Sequence, residues 1–556
     1  MNMDERAERG DPDSAEAAFR ETLRAAPDDA DALQGLASLL LESRRAAEAC
    51  AILARLLRRP DATADMVNDY GMALRGAGKA RLAAAQFRKA LSMDPGHANA
   101  AANLAYTLTG VGDAAGAVGA CRRAIEISPS DAALHNALGV ALSQQRDDRA
   151  AELAFRDSLR CNPRSLEALW NLAALYTGRG EELRAVRPLR RALGIDPNST
   201  PAMANLSLVY RRLGRRNAAE GLLRQAIALS PELPELHVGL GLLLLAREEY
   251  EEGWAEYEFR LQSREFALPE LGAPQWRGES NPGGTLIVLP EQGFGDNIQF
   301  CRYLYMIGER WQGRVVYCVG PELFPLFSAS GLPAEIACRP PFTPYPHQGC
   351  DAFIGLMSLP GIFHTSAGTI PASVPYLRAP EERTARWNDR LGSGQDLRIG
   401  LAWTGSKYHP NDRRRSCHVS QLAPLAGIPG VKLYSLQVGP DAGPQTGGPD
   451  CPGIENLGAG ISDFADTAAI LQKLDLLISV DSAPAHLAGA LGRPAWVVLP
   501  FDPDWRWQLG REDSPWYPTV RLFRQERTDE WAPVWERVAM ELRRFAESRT
   551  ADRGSD

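Results

Sequence analysis

Three short stretches of the sequence carry side chains whose types and spacing suit group transfer. In Gln292-Gly-Phe-Gly-Asp296 two glycines permit a tight turn and leave a carboxylate, Asp296, at its end. A carboxylate facing a cleft can take a proton from a hydroxyl as that oxygen attacks; at a helix start the same residue serves as an N-cap. The stretch Trp403 to Ser416 gathers Lys407, His409, Arg413, Arg414 and Arg415 in one loop. Such cations can neutralise a departing diphosphate, or stand in solvent as a basic loop. The third stretch, Asp481-Ser482-Ala483-Pro484-Ala485-His486, follows an unbroken apolar run from Leu476 to Val480. The Asp-Ser pair reads as a helix N-cap with Pro484 in the first turn. Free N–H groups of Ser482 to Ala485 would then face a phosphate or diphosphate, with His486 close enough to bond the same anion. Many sheet corners of this kind stay empty.

These side chains need elements to hold them. Leu476 to Val480 is long enough for one buried strand, the Ala- and Gly-rich segment through Ala490 for a short helix, and Ala495 to Leu499 for a parallel strand, with Gly492 ending the helix. Further strands are predicted at 285–290, 314–319, 334–338, 351–355, 398–403 and 431–437, alternating with helical stretches. Two such series predict two doubly wound α/β domains, Rossmann-like, over 285–380 and 395–530. A last amphipathic helix, 530–548, with tryptophans at 531 and 535, is expected to cross back and brace the first of them. The Gln292–Asp296 turn has Ile298 where a dinucleotide fingerprint has its third glycine, so it is weak evidence for NAD. Asp502-Pro-Asp504 has the spacing of a metal-binding pair, a spacing that also arises by chance. Trp505, Trp507, Trp516 and Tyr517 suit either stacking on a base or sugar or packing of an interdomain hinge.

The amino-terminal half has a different period. Prolines at 27, 60, 95, 129, 163, 197 and 231 are separated by 33, 35, 34, 34, 34 and 34 residues. With each proline at position 32 of a unit, small residues recur at position 8 (Gly71, Ala105, Gly139, Ala173, Ser207) and alanine at position 20. Position 24 is mostly large (Phe87, Phe155, Leu189, Leu223). Small residues let the two helices of a hairpin touch, and the proline stops the second helix. This pattern resembles the tetratricopeptide repeat family over residues 15–262, after a flexible 1–14, and implies an α-helical solenoid: a half repeat, six repeats and a terminal helical pair. Position 6 holds Asn103, Asn171 and Asn205, whose carboxamides could grip an extended peptide; the arrangement resembles the asparagine ladder of the eukaryotic O-GlcNAc transferases. Asp69, Ala137 and Gly239 interrupt it. A proline- and glycine-rich linker, 263–284, follows.

Composition narrows the classes. The chain of 556 residues has net charge −8, which argues against a general nucleic-acid binder. Nine scattered cysteines without a CxxC pair suit a reducing compartment and offer no zinc site. The charged start lacks an apolar signal region, and the run Leu236 to Ala246 is too short to span a bilayer. A cytoplasmic protein with no transmembrane segment is the expectation.

The motifs PQWRG (274–278), EQGFGDNIQFCRYL, MSLP (357–360), PYL (375–377), GLAWTGS, NDRRRS, SVDSAPAHLAGALGRPAWVVLP and DWRWQLGREDSPWYP occur in order over 274 to about 545. Together they resemble bacterial proteins that fuse tetratricopeptide repeats to a heptosyltransferase-like glycosyltransferase of the GT-B fold, family 9-like. The resemblance implies inverting transfer of sugar from a nucleotide-sugar to a hydroxyl, with no cofactor and no metal, since helix dipoles and basic side chains take the metal's place. It assigns Asp296 as general base, Asp481, Ser482, Ala483 and His486 to the donor diphosphate, and Lys407 or Arg415 to phosphate, with Arg413 beside them, although the family's Lys-x-Trp spacing is absent. The implied acceptor is a protein recruited by the solenoid, as in the bacterial enzymes that glycosylate flagellins. The alternatives are an interaction scaffold with a silent GT-B domain and a transferase acting on envelope saccharide.

Overall fold

The structure is a computed structural model, which describes residues 12–553 apart from 44, 264–265, 342, 346–348, 393, 408, 410 and 440–452. Cys451 and most of the residues before position 15 therefore lie outside the described residues. The chain divides into two compact units, Met1–Val209 and Tyr210–Asp556.

The first unit is built of helical hairpins, beginning with Pro12–Ala25 and Ala30–Glu42. The repeat pattern accounts for its packing. A side chain at Gly71 would stand 2.5 Å from the Phe87 ring, and one at Gly139 2.4 Å from Phe155, so the bulk at position 24 fills the space that position 8 leaves. The turn inside each hairpin needs a left-handed residue. Among the turns described in full, Gly78, Gly112 and Gly180 supply it and Arg146 (φ 63°) takes the same conformation; in the second unit Gly214 and Glu248 (φ 66°) do the same.

The second unit starts inside the helix Thr200–Arg212 and continues through Arg216–Leu229, Pro234–Ala246, Tyr250–Glu258 and the tight turn Phe259–Gln262. Two wholly parallel sheets follow. The first orders its strands β3-β2-β1-β4, with β1 Thr285–Leu289, β2 Arg314–Val319, β3 Glu335–Cys338 and β4 Ala352–Gly355. The second orders β10-β9-β8-β5-β6-β7, with β5 Leu397–Ala402, β6 Val431–Ser435, β7 Ile454–Asn456, β8 Leu476–Val480, β9 Ala495–Leu499 and β10 Val520–Arg524. The fold class expected from the sequence, a helical solenoid followed by two doubly wound α/β layers, is the one observed. Every residue of β8 is buried, as its unbroken apolar run requires.

Two expectations are corrected. Part of the stretch read as a linker belongs to the first sheet: Trp276 N–H donates to Phe353 O (2.8 Å), Phe353 N–H donates to Pro274 O (3.1 Å), and the indole is buried. The last helix, Ala532–Arg553, does not cross to the first domain. Its Val534, Trp535, Val538, Ala539 and Leu542 pack into the second sheet's own core with Leu401, Val419, Ile478 and Phe523, because an apolar stripe is satisfied by the nearest uncovered sheet face. Among the described residues no helix is long and apolar enough to cross a membrane.

Candidate functional site

Strand order decides where chemistry can sit. In the second sheet the order reverses between β5 and β8, and the crevice outside the carboxyl ends of such strands is the place for a ligand. β5 runs into the basic loop after Trp403, and β8 runs into Asp481-Ser482. In the first sheet the reversal falls beside β1, whose carboxyl end leads to Gln292–Asp296.

At the β8 corner Asp481 and Ser482 are buried. Ser482 occupies the N-cap position of the helix Ala483–Ala490, but its hydroxyl pairs with Ser479 Oγ at 3.0 Å and caps nothing. Ala485 N–H donates to Ser482 O at 3.0 Å, and Pro484 has no N–H. The expected row of open donors thus shrinks to Ser482 and Ala483, because the helix starts with a tight three-residue turn. His486 is buried, its Nδ1 3.0 Å from Tyr517 Oη and its ring stacked on Trp507 at 5.1 Å. Its Nε2 lies 3.7 Å from Asp481 Oδ1. Burial raises the Asp481 pKa, but His486, Arg415 and the Trp507 indole outweigh it and hold this carboxyl at about 2.

Across from this corner, Asp296 lies in the first turn of the helix Phe294–Phe300. Its Oδ2 accepts from Gly293 N–H at 2.8 Å and its Oδ1 accepts from Arg506. Asp296 therefore does serve the helix start, and it also ion-pairs with a buried arginine. The two corners touch: a Cβ on Gly295 would lie 2.9 Å from His486 Cδ2 and 3.7 Å from Ala483 Cα. Asp296, Ser482, Ala483 and His486 are thereby gathered at one place.

The basic loop divides. Arg415 packs over Gly405 and its charge acts on Asp481. Lys407 and Arg413 are exposed. The His409 pKa is lowered, first by the protein crowding its ring and then by Arg415, against the opposing pull of Asp481, Asp504 and Asp296. Asp502 turns toward Arg211 and Arg216 (3.6 and 3.7 Å), and Asp504 toward Arg506 (2.8 Å). Trp505, Trp507, Trp516 and Tyr517 are all buried, so they pack the domain junction and offer no open face for stacking.

Comparison with known proteins fits this geometry. Family models described as tetratricopeptide repeat match residues 6–66, 69–132, 136–200 and 202–230. A model described as glycosyltransferase family 9 (heptosyltransferase) matches 456–498, a stretch that includes β8, the Asp481–His486 corner and most of β9. The chain joins stretches matched by tetratricopeptide repeat models to one stretch, 456–498, matched by the glycosyltransferase family 9 model. Over 351 residues it is 30% identical to Protein FlbA of Caulobacter vibrioides, a match covering 57% of this chain and 56% of that one. The chain thus spans little more than half the length of that relative. Among solved structures, a tetratricopeptide repeat protein from Parabacteroides merdae is 14% identical with TM-score 0.38, covering 44% of this chain and 96% of that one. The APC/C hetero-tetramer Cut9-Hcn1 is 20% identical with TM-score 0.37, covering 47% and 51%.

In the tetratricopeptide repeats the asparagines are half-buried and partly engaged. Asn103 Nδ2 donates to Asn68 Oδ1 (3.0 Å), Asn171 Nδ2 to Asn136 Oδ1 (3.0 Å), and Asn136 Nδ2 to Tyr106 Oη (2.8 Å). Asn205 is half-buried as well. Asn68 and Asn136 were missed because they stand at position 5 of their repeats; an asparagine returning after 35 residues is the signal that marks them. At the candidate site the missed residue is Arg506, an arginine between two tryptophans. A cation inside so apolar a run has to be paired.

Proposed function

We propose that this chain transfers a sugar from a nucleotide-sugar to a hydroxyl, with inversion, on a protein acceptor held by the repeats. The observation that carries the reading is the meeting of Asp296, across Gly295, with the Ser482–His486 corner, the latter lying in the stretch 456–498 matched by glycosyltransferase family 9. An acceptor oxygen attacks the anomeric carbon from the face opposite the diphosphate, and its proton passes to Asp296. The bond from the anomeric carbon to the phosphate oxygen breaks. The leaving diphosphate is met by the Ser482 and Ala483 N–H groups, by His486 and by the Arg415 side of the loop. Lys407 and Arg413 reach the phosphates only if the loop closes on them. The donor needs no metal in this scheme. Asn103, Asn171 and Asn205 keep acceptor oxygens for an extended chain, and two of the three are already oriented by their partners.

One observation favours a second reading, an interaction scaffold without transfer activity: Asp296 already accepts from Gly293 and Arg506, so both of its oxygens are engaged.

Titration of the full chain with UDP, ADP, GDP and CMP separates the two readings. Transfer predicts that one nucleotide binds, that Ser482→Pro with His486→Ala abolishes binding, and that Asp296→Asn spares binding while stopping release of nucleoside diphosphate from the matching sugar donor. A folded chain that binds none of the four leaves the scaffold.

A further inference from the structure

Two residues other than glycine hold left-handed backbone beside the site, and each has its side chain fastened to the same helix. Gln292 (φ 55°) immediately precedes the turn that carries Asp296, and Gln508 (φ 54°) follows Arg506 by two residues. Backbone of this kind persists only where its surroundings hold it. Gln292 Nε2 donates to Tyr257 Oη, and Gln508 Nε2 donates to Tyr250 Oη at 2.5 Å. Tyr250 and Tyr257 are seven residues apart on the helix Tyr250–Glu258, so they share one face, with Trp254 between them. Trp254 packs edge-on against Trp505 at 5.2 Å, and the Tyr257 ring is tilted against the same indole at 6.4 Å. Burial pushes the Tyr250 hydroxyl up to about 12, so it keeps its proton at neutral pH. The two loops come from different sheets and meet directly through the Asp296–Arg506 ion pair, whose geometry the backbone on either side must hold.

We propose that Tyr250 and Tyr257 are positioning residues: the last repeat helix clasps the two strained loops so that Asp296 and Arg506 meet in one fixed geometry. This rests on the reading of Asp296 as the base of glycosyl transfer. The repeat end is then part of the catalytic machinery as well as a place to hold an acceptor.

The test uses the full chain with Tyr250→Phe and Tyr257→Phe, which keep the rings and remove the hydroxyls. It adds Gln508→Gly and Gln292→Gly, since glycine adopts the required backbone unaided. Amide hydrogen exchange over 291–297 and 503–509 is read alongside kcat and KM for turnover of the sugar donor whose nucleotide binds. Each Tyr→Phe change is expected to speed exchange in its own loop about tenfold, the factor that losing one hydrogen bond gives. It should also lower kcat about tenfold or more, with KM kept within about twofold. Adding the partner glycine should restore kcat. Unchanged exchange, or a loss of kcat that the glycine leaves in full, overturns the clasp. Faster loop exchange in a chain that turns over no donor supports the clasp and counts against the transfer reading, so the two fail separately.

Discussion

Replacing Glu291 by Gln removes one negative charge from the most deeply buried ion pair among the described residues of the second unit. Arg260 has 1% of its side chain exposed, and Glu291 has 5%. The guanidinium gives two parallel bonds to that carboxylate, both at 3.0 Å, a third to Ser358 Oγ at 2.8 Å and a fourth to Glu258 at 2.8 Å. Glu258 is 42% exposed, so solvent screens it and Glu291 carries most of the neutralisation. Glutamine keeps the volume and can still accept from Met357 N–H, which Glu291 bonds at 2.9 Å. What disappears is the charge opposite a cation buried from solvent. Removing one partner from such a pair costs roughly 3–5 kcal/mol. With an unfolding entropy near 2.1 cal/mol/K per residue and about 350 residues in the unit, a cost of about 4 kcal/mol lowers the thermal midpoint by about 5 °C. Scanning calorimetry at one scan rate, on Glu291→Gln, Arg260→Met and the double variant, checks both the size and the cause. The double variant should be at least about 2 kcal/mol more stable than the sum of the two single losses predicts. Additive losses, or a Glu291→Gln midpoint within about 1 °C of the parent, would refute the reading that Glu291 carries the neutralisation of the buried Arg260.

Asp481→Asn should cost about 2 kcal/mol at neutral pH, from a carboxyl held at about 2 against an ordinary value of 3.8. Because the folded-state value is the lower one, that stability is fully present above pH 4 and is lost as pH falls toward 2. Urea unfolding of parent and variant should therefore converge over that window, and a gap that persists at pH 2 would exclude the mechanism. Gly295→Ala places a methyl 2.9 Å from His486, a ring that Trp507 and Tyr517 keep from yielding. Nucleotide affinity measured by calorimetry should fall by about tenfold or more, the size expected when contact geometry shifts by a few tenths of an ångström, and parental affinity would show the corners to be looser than they stand. Asn136→Ala removes a buried acceptor for Asn171 and a donor to Tyr106. It should lower the stability of the repeats by about 1–3 kcal/mol in chemical denaturation.

Much of this architecture was legible because it is written in local periods. The 34-residue proline spacing gives the hairpins, and the apolar runs at 476–480 and 495–499 coincide with β8 and β9 residue for residue. β7 and β10 escaped notice: β7 has three residues, and β10 reads Val-Arg-Leu-Phe-Arg, whose arginines hide its apolar face. The candidate site was half legible. The residues that gather at it were named from motif spacing, but the partner of Asp296 lies 210 positions away at Arg506. No local pattern joins two residues so far apart. Sequence also could not say which way short polar side chains turn. Ser482 looked like a cap and instead bonds Ser479, and the helix after it consumes a donor that was expected to be open.

The asparagine pairs divide the solenoid more coarsely than its prolines do. Asn68 with Asn103 and Asn136 with Asn171 are two copies of one bond, and the second pair stands 68 residues after the first, twice the helical repeat. A single repeat is therefore an incomplete module. Excising one would set two like positions against each other and orphan a carboxamide, whereas excising two would slide one intact pair into the place of the other. Lengthening or shortening of this groove, by gene duplication or by design, should proceed in steps of two repeats.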